Sequence, residues 1–148
     1  MSYKNNMKLR FSALSENESF ARVCIASFCS VLNPTLEELN DIKTAVSEAV
    51  TNCVVHAYPN VKGDVEINAE ICDNELYISI TDFGVGIKDV EKAREPFYTT
   101  CPTKERSGMG FTVMEGFMDK VMVESNEKKG TTVTLIKRLG DCKVAIGG

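Results

Sequence analysis

The apolar residues change their spacing from 3.6 to 2 near residue 60, and that change restricts the fold more than any other feature. Before it, Ile42, Val46, Ala49, Val50, Cys53 and Ala57 recur at the helical period and collect on one face. After it, "DVEINAEI" sends Val65, Ile67, Ala69 and Ile71 to one side and Asp64, Glu66, Asn68 and Glu70 to the other. "LYISITD" repeats the pattern, with Leu76, Ile78 and Ile80 opposite Tyr77, Ser79 and Thr81. Strands with one apolar and one Ser/Thr/Glu-rich face form a sheet covered on one side only. The long helix must lie on the apolar side.

The remaining segments fit the same plan. "MKLRFSA" alternates Met7, Leu9 and Phe11 and predicts a first strand. Ser15 and Glu18 have the spacing of a capping box, opening a helix to about Leu32. Thr35 and Glu38 offer a second box for the long helix, which Pro59 ends. A short helix is expected over Lys88 to Arg94, an irregular segment over Glu95 to Ser107, and a helix in "GFTVMEGFMD". "KVMVES", the turn "NEKKG" and "TTVTLIK" predict a closing hairpin. The expectation is an α/β two-layer sandwich of order β-α-α-β-β-α-β-β, residues 1–139 forming one domain and 140–148 a flexible tail.

The long helix carries a second pattern. Thr44, Glu48, Thr51, Asn52 and His56 share a stripe opposite the core face. Taken alone, the stripe also fits a solvated surface. Asn, however, is a poor residue in mid-helix, because its amide competes for backbone hydrogen bonds.

Composition narrows the functions open to such a stripe. A net charge of −4 argues against a nucleic-acid surface. Lys128, Lys129, Lys137 and Arg138 read as a solvated turn and strand. No apolar run approaches the roughly 18–20 residues that span a bilayer, and "MSYKNNMKLRF" lacks a secretory apolar segment. The expected location is therefore cytoplasmic, where six cysteines without a CxxC pair stay free thiols. One histidine cannot complete a zinc set.

Three glycine turns follow the long helix: "DFGVG", "RSGMGF" and "KKGTT". "DFG" is not a protein-kinase motif here, since no VAIK or HRD-type segment accompanies it, and no GxxxxGK[ST] loop exists. Each turn still suits a nucleotide. Asp82 can offer its carboxylate to an exocyclic amino group such as that of adenine, and Gly84 and Gly86 let the backbone approach a flat ring. Gly108 and Gly110 open a helix, whose N–H groups suit phosphate oxygens, with Arg106 as a neighbouring cation. "KKGTT" also fits an ordinary hairpin turn.

The succession E-x-x-x-N, D-x-G-x-G, irregular loop, G-x-G and G-T resembles the Bergerat fold of the GHKL superfamily. That resemblance implies a mixed sheet covered by helices on one face and a site for ATP and Mg²⁺. Carried over, Asn52 holds Mg²⁺, Glu48 is the general base, and residues 95–107 form the lid over ATP. Nucleotide contacts extend to Asp82, Gly84, Gly86, Thr100, Ser107, Gly108, Met109, Gly110 and Thr131. His56 gains only a hydrogen-bonding role at the helix end. It lies within the nucleotide helix, so a phosphoacceptor histidine is excluded, and the transducer domains of gyrase-like and MutL-like proteins are absent.

A closer likeness is carried by "FSALSENESFARVCIASF", "DIKTAVSEAVTNCVVHAY", "PFYTT", "ERSGMGFTVMEGFMD" and "KKGTTV". These resemble the family of anti-sigma-F serine kinases of sporulating bacteria, over about Met7 to Leu139. The family implies a homodimer that sequesters a sporulation sigma factor from core RNA polymerase. It also implies phosphorylation of a serine on an anti-anti-sigma protein. Glu18 and Arg22 match partner-binding residues, Arg106 matches the residue meeting the γ-phosphate, and the first strand lies at the edge that joins subunits. A nucleotide-dependent binding module without turnover, or a general-stress anti-sigma kinase, would share these motifs. Departures are Cys53, Ala57, Pro59 and the tail.

Overall fold

A computed structural model describes residues 3–58, 62–86, 110–126 and 129–140. The chain runs β1 (Lys4–Ser12), α1 (Asn17–Cys29), a 3-10 turn (Ser30–Leu32), α2 (Leu36–Asn52) and a π-helical turn (Cys53–Ala57). Then come β2 (Asp64–Cys72), β3 (Glu75–Asp82), α3 (Gly110–Phe117), β4 (Lys120–Asn126) and β5 (Gly130–Arg138). This is the expected order of strands and helices. The expected short helix over Lys88 to Arg94, the lid segment and the tail from residue 141 lie outside the described residues.

The five strands lie in the order β1-β2-β3-β5-β4. All four pairings are antiparallel, which corrects the expectation of a mixed sheet. The connectivity supplies the reason. β4 runs in the same direction as β3, but β5 is inserted between them and opposes both, so no parallel pair is made. β1 stands at the edge, as expected. Phe11 is buried and Leu9 packs on the core, so this edge presents backbone groups outward.

The period-2 alternation comes out residue for residue. Val65, Ile67, Ala69, Ile71, Leu76, Ile78 and Ile80 are all buried, and so are Ile42, Val46, Ala49, Val50, Cys53 and Ala57 on the helix. Each large aliphatic side chain removed from water contributes roughly 1.5–3 kcal/mol. Between these facing surfaces lies one continuous core, joined by Ile25 of α1 and Met114 of α3. On the opposite face of the sheet, hydroxyl pairs link Thr81 with Thr132 (3.0 Å) and Ser79 with Thr134 (3.4 Å).

The two capping boxes fare differently. Thr35 accepts from the Glu38 amide and Glu38 accepts from the Thr35 amide, a complete box. The Ser15–Glu18 box does not form. The N-cap is Glu16, without a side-chain cap, and backbone bonds from Asn17 to Leu14 and Glu18 to Ser15 hold the turn. Glu18 is engaged elsewhere, accepting from the Thr51 hydroxyl of α2 at 3.0 Å. Lys137 also departs from a solvated reading: its ammonium donates to the Phe117 carbonyl at the end of α3, at 2.7 Å, and sits 3.8 Å from Asp41.

Candidate functional site

The cleft is organised by the C-terminal half of α2 and the elements that abut it. Helical spacing places Glu48 and Asn52 one turn apart on the face turned toward the start of α3. There, a Cβ added to Gly110 would stand 3.3 Å from Asn52 Oδ1 and 3.5 Å from Glu48 Oε2. Glycine thus leaves a cradle against both side chains that any larger residue would fill. Asn52 Nδ2 is buried and has no partner among the described residues. A buried amide left unmatched costs free energy unless something joins it. Which end carries oxygen follows from its partners, so the same amide can present oxygen to a hard cation such as Mg²⁺. The residues present fit Mg²⁺ and a phosphate chain.

The other end of the cleft is formed where β3 meets β5. Asp82 is buried, and its Oδ1 accepts from the Gly84 amide (3.1 Å) and the Thr131 amide (3.2 Å). The Cys53 thiol donates to the same carboxylate. A carboxylate offers about four acceptor sites, so acceptor capacity remains for a ligand donor. Burial raises the Asp82 pKa, against the opposing pull of these three donors. Burial also pushes the Cys53 thiol well up, with the neighbouring Asp82 charge adding to it. Cys53 therefore stays protonated, as a donor must.

Two glycines are required here by the backbone. A Cβ on Gly84 would run into the Ala57 carbonyl, because Val85 N–H bonds that carbonyl at 2.9 Å. Gly130 has φ +102°, and a Cβ there would meet the Asp82 carbonyl. Gly86 also has a positive φ, 76°.

The turn from Phe83 to Gly86 lies against the π-helical segment. A π turn takes one more residue per hydrogen-bonded ring than an α turn and is frequent at functional sites. The sequence spacing did not predict it. Its end also carries Tyr58, whose hydroxyl accepts from the Phe83 amide and donates to the Asp64 carbonyl, both at 2.7 Å. Tyr58 went unnoticed in the sequence; its position between the long helix and Pro59 was the available signal. His56 lies in the last turn of the π segment.

Glu18 and Arg22 open onto a groove between α1 and α2 that Lys43, Thr44, Ser47 and Glu48 also line. Arg22 Nη1 donates to Ser47 Oγ at 2.9 Å. The structure therefore brings the two expected partner residues into one groove with the expected base. Of the remaining expected contacts, Thr131 is buried beside Asp82 and its hydroxyl pairs with Ser125 at 2.8 Å. Thr100, Arg106, Ser107, Gly108 and Met109 lie outside the described residues.

Known proteins with this architecture were found at two levels. Residues 11–137 match the family described as histidine kinase-like ATPase domain. The anti-sigma F factor of Clostridium acetobutylicum is 58% identical over 135 residues, covering 91% of this chain and 94% of that protein. The anti-sigma F factor of Bacillus subtilis is 55% identical over 141 residues, covering 95% and 97%. Among solved structures, the RsbU and RsbW domains of a Mycobacterium tuberculosis protein superpose with a TM-score of 0.65 at 19% identity. That match covers 91% of this chain and 32% of the other. The catalytic domain of the histidine kinase ThkA gives a TM-score of 0.58 at 19% identity, covering 90% and 96%. At such identities the two structures speak for the fold alone.

Proposed function

This chain belongs to the anti-sigma F factors of the histidine kinase-like ATPase family, and from that premise we propose that it sequesters a sporulation sigma factor and phosphorylates a serine of an anti-anti-sigma protein with Mg·ATP. The observation that carries the reading is the convergence of Glu48, Asn52 and the side-chain-free Gly110 at one place. No side chain at Gly110 stands between the start of α3 and this carboxylate and amide.

The family resemblance and the geometry around Glu48, Asn52 and Asp82 support the following residue roles. Asp82, fixed by Gly84, Thr131 and Cys53, accepts from the adenine amino group. Asn52 would hold Mg²⁺, which when bound neutralises charge on the β- and γ-phosphates. Glu48 accepts the proton of the incoming serine hydroxyl as its oxygen bonds to the γ-phosphorus and ADP leaves. Arg106, Ser107, Gly108, Met109 and Thr100 are assigned to the phosphate side, with residues 95–107 as lid. Positioning and charge neutralisation supply most of the rate in such transfers. Glu18 and Arg22 face the protein partners, and the groove they share with Glu48 leads the acceptor serine toward the base. A homodimer joined at the β1 edge and a cytoplasmic location complete the reading; no helix among the described residues is long and apolar enough to cross a membrane.

The test uses the full chain with γ-labelled ATP and a candidate antagonist, alongside a pull-down of a candidate sigma factor. Label should appear on an antagonist serine and only with Mg²⁺. Arg22→Glu should release both proteins while ATP affinity persists, since it adds repulsion to a lost pairing. Sigma retention without any label transfer would reduce the protein to a nucleotide-dependent binding module. Wild-type retention of both partners by Arg22→Glu would move their contact away from α1.

A further inference from the structure

Three segments that lie apart in the chain meet on Tyr58. Its hydroxyl accepts from Phe83 N–H and donates to the Asp64 carbonyl, each at 2.7 Å, tying the residue after Asp82 to the start of β2. A Cβ on Gly63 would strike its ring. The preceding residue takes the next stitch, Val85 N–H to the Ala57 carbonyl at 2.9 Å. Between these two anchors lies Gly84, whose N–H donates to Asp82 Oδ1. The direction of that N–H, and with it the aim of the carboxylate, depends on where Phe83 and Val85 are held.

We propose that Tyr58 is a positioning residue for base recognition: its hydroxyl fixes the turn from which Gly84 aims the Asp82 carboxylate at the nucleobase. The inference rests on the reading that Asp82 accepts from adenine. Removing the hydroxyl leaves Phe83 N–H without its acceptor, and the peptide must rotate toward water to find another. Gly84, with no side chain to resist, follows. The other hold on Phe83 is the Arg10 guanidinium 5.2 Å above its ring. Arg10 is more than half exposed and competes for Asp64 and Glu66, so it is the weaker restraint.

Tyr58→Phe keeps the ring against Gly63 and deletes only the hydroxyl. The probes are ATP and purine riboside triphosphate, which lacks the 6-amino group. Wild-type protein should bind ATP more tightly than the purine analogue; equal binding would remove the adenine reading itself, whatever Tyr58 does. Given that difference, Tyr58→Phe should weaken ATP about three- to tenfold, the range of one or two hydrogen bonds. The purine analogue should change little, so the discrimination shrinks. A tie that merely supports the fold would lower both nucleotides alike, and that outcome overturns the proposal. A second measurement needs no variant: in nucleotide-free wild-type protein the Phe83 amide should exchange slowly with solvent. An unprotected Phe83 amide would also overturn it.

Discussion

At the Asp82 end of the cleft the carboxylate is held in place before a nucleotide arrives. At the Glu48–Asn52 end, a buried amide nitrogen lacks a partner among the described residues and a glycine leaves space beside it. Three donors hold Asp82, two of them backbone amides from different strands or turns. Backbone donors cannot change rotamer, so the Asp82 carboxylate is preorganised, and base binding there, on the proposed reading, spends little on ordering side chains. The Glu48–Asn52 end, the phosphate end on the proposed reading, carries these groups on one helix and leaves the Asn52 amide to be completed by a ligand. On the proposed reading the rigid end recognises the base, and the end finished by the ligand responds to which phosphate is present.

The contrast can be tested from its most sensitive point downward. Glu48→Gln keeps shape and hydrogen bonding but cannot take a proton, so single-turnover transfer should fall about 10²–10⁴-fold with ATP binding retained. Near-normal transfer would remove Glu48 from the role and blur the division between the ends. Asp82→Asn should weaken ATP roughly ten- to a hundredfold, the worth of a charged hydrogen bond, because the amide can set a donor against adenine's donor. Thermal melting of the nucleotide-free variant should not fall with it, since the buried charge is gone; calorimetry and melting together separate recognition from stability. Asn52→Ala should lower ATP affinity in Mg²⁺ about tenfold and abolish the difference between titrations with and without Mg²⁺. A surviving Mg²⁺ effect would place the cation elsewhere.

The smallest effect concerns acid. Burial raises the Asp82 pKa from its ordinary value, so the nucleotide-free fold holds more protons than the unfolded chain between the two values. Asp82 therefore costs stability as pH rises through that window. If Asp82 accepts from adenine as proposed, ATP binding needs the carboxylate and should run the opposite way, weakening as pH falls through the raised value. Cys53→Ala removes one donor that favours the ionised form. The acid limb of ATP affinity should move to higher pH, with a loss near neutrality of about two- to fourfold. An unmoved limb would show that the backbone amides alone fix the carboxylate.

The rigid end was partly legible in the sequence and its supports were not. The alternation of Val65 to Ile71 and Leu76 to Ile80 is local, and local patterns survive folding when one sheet face is buried. Asp82, Gly84 and Gly86 could be read because a strand end followed by glycines is a short-range signal. The hold on them comes from Thr131, Cys53, Ala57 and Tyr58, whose partners lie far away in sequence. Glu18 shows the same limit: with Glu16 as the N-cap it does not stand at the capping position, and its carboxylate accepts from Thr51 of another helix. The sheet was expected to be mixed because the family resemblance implied it, whereas β5 enters between β3 and β4 and opposes both.

The π-helical turn at Cys53–Ala57 has a consequence for how this protein can vary in length. It carries one residue of slack relative to an α-helix. Deleting a residue there would take up that slack and let the α repeat resume, whereas a deletion within α2 itself would rotate everything beyond it by about 100°. Ala57 would swing away from Val85, and Tyr58 from Phe83 and Asp64. Loops of this domain can gain or lose residues at little cost, but this segment acts as a gauge block between α2 and the turn that follows Asp82. Insertions and deletions along the lineage should stop on either side of it, and a designer shortening the chain should leave these five residues alone.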